Sequence, residues 1–185
     1  MSTTISSNTR KLVTQALLAA VAVVLVAFVH FPLIPAASFL EYDPADIPIF
    51  IGAFLFGPWA GLGLTVVVSV IQGITVSAAS GPIGIIMHIL ATGTFVVLAG
   101  SIYRRNRTRK GAVIALVVGS LAMTVVMCLC NLVFTPLFMG STVGAVVQML
   151  LPAIIPFNLA KAGINSLVTY VVYKSVSRVV FKENA

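Results

Sequence analysis

The sequence predicts an all-α integral membrane protein, a bundle of six transmembrane helices with a structured outer loop between the first two. Three observations predict it. Of 185 residues, 59% are hydrophobic and 8% charged, with mean hydropathy +1.13; a soluble domain carries about 25% charged residues. The uncharged stretches are long: no Asp, Glu, Lys or Arg lies between Asp46 and Arg104, or from Gly111 to Ala160. At about 20 residues per crossing these hold three spans and two, and one apolar segment at each end brings the count to six. Finally, the charges alternate with the expected sides of a membrane. Basic residues gather at Arg10–Lys11, at Arg104, Arg105, Arg107, Arg109 and Lys110, and at Lys174, Arg178 and Lys182. With six spans these clusters share one face, which the positive-inside rule makes cytoplasmic, together with both termini.

Topology thus accounts for ten of the eleven Lys and Arg, so the net charge of +7 is no sign of nucleic-acid binding. Residues 1–185 read as a single domain, with 1–9 a disordered cytoplasmic tail. The first apolar run has span length and no clear small-residue cleavage site after it, so it reads as a helix rather than a leader. Cys128 and Cys130, two apart on a helix, point about 160° away from each other and read as buried small residues.

In chain order, the first span covers residues 11–29 and carries Ala16 and Ala20 four apart. That spacing lets a second helix approach closely, although alanine is also simply common in membrane helices. Residues 30–48 hold four prolines, several large apolar side chains and three of the four acids, Glu41, Asp43 and Asp46. Such a loop reads as a lid over the bundle. Asp43 or Asp46 suits a helix cap with Pro44 at the first turn, which leaves Glu41 to meet a ligand or Lys161. A short second span, 47–56, ends at Gly57-Pro58-Trp59, a tight turn with Trp59 at the interface. Spans at 60–75, 83–103 and 112–134 follow, and residues 136–151 read as the last outer loop. The sixth span runs from Pro152 or Pro156 to Val176. His88, alone on its helix, reads as an internally satisfied packing residue.

Lys161 is the remaining charge, placed inside the sixth span. A charge at bilayer depth costs about 3 kcal/mol on insertion scales, so it reads first as a functional residue. At about 100° per residue Asn158, Lys161, Asn165 and Thr169 share one stripe; a helix-packing stripe satisfied internally is the alternative. In the fifth span Thr124, Cys128, Asn131 and Thr135 share another. Glu41, Asn131, Asn158 and Lys161 thereby fall near the outer face, beside the proline-rich loop. A few placed polar groups in apolar surroundings suit a small-molecule site.

The sequence lacks a P-loop, an H-E-x-x-H, a G-x-S-x-G and any cluster of metal ligands. No chain of intramembrane carboxylates offers a proton relay. A non-enzymatic binder that borrows energy from a partner, with no cofactor of its own, fits best.

Three stretches carry a resemblance: Phe39-Leu-Glu-Tyr-Asp-Pro-Ala-Asp-Ile-Pro48, Gly52-Ala-Phe-Leu-Phe-Gly-Pro-Trp-Ala-Gly61, and Pro156-Phe-Asn-Leu-Ala-Lys-Ala-Gly-Ile-Asn165. With the small size, six spans, Ala-rich first helix and basic loop, the chain resembles the substrate-binding (S) components of energy-coupling factor (ECF) vitamin transporters, the riboflavin-specific members above all. The resemblance implies capture of riboflavin in the cell membrane for an ATP-driven coupling module. It implies substrate contacts from Glu41, Asn131, Asn158, Lys161 and Asn165, with Asp43 or Asp46 alternatives to Glu41. Ala16 and Ala20 would meet the transmembrane coupling protein (T component), which joins two ATPase subunits. An S component for another vitamin and a small intramembrane enzyme are the alternative readings.

Overall fold

The computed structural model describes residues 7–181, and these are almost entirely helical. The helices are α1 (Ser7–Phe28), α2 (Asp46–Phe56), α3 (Pro58–Ile74), α4 (Gly81–Arg105), α5 (Arg109–Met139), α6 (Val143–Met149) and α7 (Ile155–Phe181). With the short helical pieces that adjoin them, α1, α4, α5 and α7 are long and apolar enough to cross a membrane. The other two apolar helices are shorter. At 1.5 Å per residue the 11-residue α2 reaches only about 16 Å, against a hydrocarbon thickness of roughly 30 Å. Ten of its residues, Asp46 to Leu55, are buried, so α2 is the core around which the longer helices stand.

The surface has the inverse polarity of a soluble protein. Leu12, Leu17, Val21 and Val24 on α1, Ile114, Val117, Leu121, Val125 and Leu129 on α5, and Leu167 and Val171 on α7 are all exposed. Lipid is the solvent that tolerates such a surface. It also removes the hydrophobic drive between helices, so close packing must hold them. Phe50 of α2 stacks on Phe95 of α4 with ring centroids 3.5 Å apart, and Phe54 stacks on Tyr103. Gly57, at φ 95°, occupies the left-handed region that glycine adopts without a Cβ clash. It reverses the chain between α2 and α3 and brings Ala53 against Gly61, where an added Cβ would lie 2.6 Å from that of Ala53. Pro58 packs on Gly100, toward the Arg104–Arg105 end of α4, so the α2–α3 turn and exposed Trp59 belong to the basic end.

Two stretches differ most from the sequence reading. Residues 7–9 open α1 instead of belonging to the tail, while residues 1–6 lie outside the described residues. The stretch 136–151, read as a loop, is mostly helical: α5 runs on through Pro136 to Met139, and α6 follows. Proline within a membrane helix is tolerated where nearby groups re-satisfy the backbone. Here α5 closes one turn later, with Gly140 at φ 61° and the N–H groups of Gly140 and Ser141 both donating to Pro136 O. A π-helical turn, Leu150–Ile154, then leads into α7 at Ile155, between the two prolines that bracketed the expected start.

Overpacking a close helix contact costs about 1–3 kcal/mol. Gly61→Leu should therefore lower the melting temperature in detergent by several degrees. Gly63→Ala, whose Cβ meets nothing within 4 Å, should leave it unchanged. Equal melting temperatures for the two variants would show that the α2–α3 contact is not tight.

Candidate ligand-binding site

The loop between α1 and α2 is built by short-range rules. Phe31–Pro32 (β1) pairs antiparallel with Glu41–Tyr42 (β2), placing Phe31 opposite Tyr42. Asp43 Oδ1 accepts from Ala45 N at 3.0 Å, so Asp43 shapes the approach to α2 from outside the helix. Asp46 lies in the first turn of α2, where the exposed N–H groups favour a carboxylate.

Long-range contacts then fasten this loop to the bundle. Lys161 Nζ donates to Asp43 Oδ2 at 2.6 Å, with both side chains largely buried. Asn165, one turn along α7, accepts from the Tyr42 hydroxyl at 3.0 Å and donates to Asp43 O at 3.2 Å and Asp46 Oδ2 at 3.4 Å. Asp46 Oδ1 accepts from Thr92 at 2.9 Å and meets His88 Nε2 at 3.1 Å, while His88 Nδ1 lies 2.9 Å from Ser69 Oγ. Burying a carboxylate is costly unless its lone pairs are used. Fully buried Asp46 has three partners on α4 and α7.

Beside this network lies a cavity of about 180 Å³. It is bounded by the end of α1, the loop, the C-terminal end of α3, the N-terminal end of α4, the second half of α5 and the start of α7. All of these lie at the end of the bundle away from the basic α4–α5 loop. Met87, Met123, Met127, Phe39, Phe134 and Phe138 supply apolar lining. The methionines are unbranched and adapt readily to a guest.

The cavity gathers Glu41, its alternative Asp43, Asn131, Asn158 and Lys161 of the residues singled out in the sequence, draws in His88, and adds Ser69 and Gln72. Asn165 is buried behind the cavity wall, tied to the loop. Lys161 pairs with Asp43, not with Glu41, which is exposed on β2. An ammonium has three N–H donors, so the bond to Asp43 leaves Lys161 donors for a guest. Asn158 Nδ2 is engaged with Ile154 O at 2.8 Å. Asn131 uses both ends of its amide within α5, donating to Met127 O and accepting from Thr135. His88 serves as the expected packing partner and also lines the cavity. Ala16 and Ala20 are exposed on α1, away from the cavity.

A helical membrane protein with a half-apolar cavity at one end, braced by a buried ion pair and carrying no motif for ATP, defines a class of integral membrane ligand binders. Comparison with known proteins narrows it. Residues 10–173 match the family described as ECF transporter, substrate-specific component, and the chain belongs to that family. A Streptococcus thermophilus protein named riboflavin transporter RibU is 30% identical over 184 residues, 95% of this chain and 87% of that one. The Staphylococcus aureus riboflavin transporter RibU is 28% identical, covering 91% and 90%, and the Bacillus subtilis riboflavin transporter FmnP 26%, covering 89% and 90%. A solved S component of a bacterial ECF transporter superposes with a TM-score of 0.79 at 30% identity, covering 95% of this chain and 99% of the other.

Removing one partner of a buried ion pair strands the other charge, at a cost of about 3 kcal/mol or more. Asp43→Asn and Lys161→Met should each lower the melting temperature, and the double variant should lose much less than the sum. Strictly additive losses would mean that the pair does not hold the loop.

Proposed function

We propose that this chain is a non-enzymatic riboflavin-capture subunit of an ECF-type transporter in the cell membrane. The observation that carries the reading is the cavity itself, where Asn158 and Lys161 stand beside a braced loop and adaptable apolar side chains. The relatives named as riboflavin transporters supply the ligand. Riboflavin joins a flat apolar dimethylbenzene end to a pyrimidine edge that alternates donors and acceptors, and it carries a polyol tail. Asn158 Oδ1 and the Lys161 ammonium match that edge, the asparagine as acceptor and the lysine as donor to carbonyl oxygen. Phe39, the methionines and the α5 phenylalanines cover the ring. A drug-sized guest fills about 300–1,000 Å³, more than the 180 Å³ present. Loading therefore displaces methionine and phenylalanine side chains, while the network around Asp43 and Asp46 keeps the polar end in place.

In the membrane the chain makes six passes, with α2 the shortest and both termini cytoplasmic. The placement of the basic clusters supports this, and it opens the cavity to the outside. Lacking a P-loop, the chain depends on a T component and two ATPase subunits for energy. Ala16 and Ala20, small and exposed on α1, suit close contact with that coupling protein.

Protein purified in detergent should be yellow or should quench added riboflavin fluorescence. Asn158→Ala and Lys161→Ala should weaken binding by roughly ten- to hundredfold, the loss of one hydrogen bond to a charged or buried partner. Colourless protein without quenching would refute the riboflavin reading, and unchanged affinity in both variants would move the site.

Transport and binding should separate. Ala16→Trp or Ala20→Trp inserts bulk where lipid provides no force to restore contact. Uptake by cells and co-purification with the coupling subunits should be lost while the isolated variants still bind riboflavin. Uptake that survives both changes would show that α1 is not the docking face.

A further inference from the structure

The α3–α4 side of the cavity presents a second set of polar groups: Ser69, Gln72, Ser77 and His88. Most are engaged within the protein. Ser69 donates to Thr65 O at 2.6 Å and meets His88, whose other ring nitrogen faces Asp46. Gln72 Nε2 donates to Ser77 Oγ at 3.3 Å. Gln72 Oε1 is the exception, being shut off from solvent with no hydrogen-bond partner.

The fold uses only one end of this side chain, the Nε2 that donates to Ser77 Oγ. Gln72 helps to end α3, since its carbonyl accepts from Thr75 N and Ser77 N, but any residue supplies that backbone oxygen. A leucine or methionine would fill the same length without leaving an acceptor unmatched. A buried amide oxygen that has given up water and gained no donor is unfavourable. The oxygen is closed to solvent, so a donor on the guest removes that penalty only as the side chains around it shift on loading.

The two polar walls also differ in kind. The α5–α7 wall offers the Asn158 oxygen and the Lys161 ammonium, suited to the carbonyls and imide of a ring edge. The α3–α4 wall offers an unmatched acceptor among serine hydroxyls, suited to a chain of hydroxyls, each needing an acceptor. We infer that Gln72 is a specificity-determining residue, its Oε1 accepting from a polyol hydroxyl of a flavin whose ring edge rests against Asn158 and Lys161. The inference rests on the riboflavin reading above and adds the subsite that tells riboflavin from flavins lacking the sugar-alcohol chain.

The test compares riboflavin with lumiflavin, which keeps the ring and carries a methyl group in place of the polyol. Dissociation constants are measured by fluorescence quenching for the wild type, Gln72→Met and Gln72→Leu in detergent. Both variants should bind riboflavin about tenfold more weakly, the equivalent of one hydrogen bond, and lumiflavin as the wild type does. Lumiflavin binding doubles as the check on folding. Unchanged riboflavin affinity in both variants overturns the assignment. So does an equal loss for both flavins, which would give Gln72 a role in the fold or against the ring. A wild type that binds neither flavin removes the riboflavin reading itself and this inference with it.

Discussion

The ion pair between Asp43 and Lys161 is the constraint on which the rest of the site depends. A lysine inside a membrane helix is tolerated only with a partner or water nearby. That partner comes from a loop more than a hundred residues earlier, at 2.6 Å. Pairing fixes the loop over α7, and the loop in turn closes one side of the cavity. Asn165 and Asp46 make the arrangement stiff, because Tyr42, Asp43, His88 and Thr92 all bond to one or the other. The pair contributes little as a source of net stability, since desolvation offsets much of the attraction. Its consequence is geometric: it decides where the loop sits and keeps a charged donor at the wall of the half-apolar cavity.

The bundle divides its labour along its length. Toward the basic end α2, α3 and α4 pack through Gly61, Gly100 and stacked aromatic rings, contacts that resist deformation because interiors are close-packed. Toward the other end the lining turns to methionine, phenylalanine and hydrogen-bonded polar groups. A rigid base with an adaptable mouth suits a protein that admits a guest without repacking its core.

Much of the plan was legible in the sequence because membrane physics writes it in coarse symbols. A lone charge in an apolar run marked Lys161, and helical periodicity gathered Asn158, Lys161 and Asn165 on the inward stripe. Finer choices depended on contacts that periodicity does not encode. Asp43, Asp46 and Glu41 are equivalent by composition, and only the β1–β2 register and the turn before α2 aim Asp43 at Lys161. Asn165 shares the stripe, yet one turn of helix moves it out of the cavity and behind the loop. Pro136 looked like the end of a helix because its missing N–H usually breaks one, whereas the backbone here closes a turn later at Gly140. Gln72 carried no signal at all, since an unmatched acceptor exists only once its surroundings are known.

The most direct measurement of the central claim is a crystal structure of the chain with riboflavin. The account predicts the flavin enclosed between the loop, α5 and α7, with its pyrimidine edge at Asn158 and Lys161 and with Asp43 still within ion-pair distance of Lys161. A flavin bound elsewhere on the bundle, or one that enters only by separating Asp43 from Lys161, would contradict it.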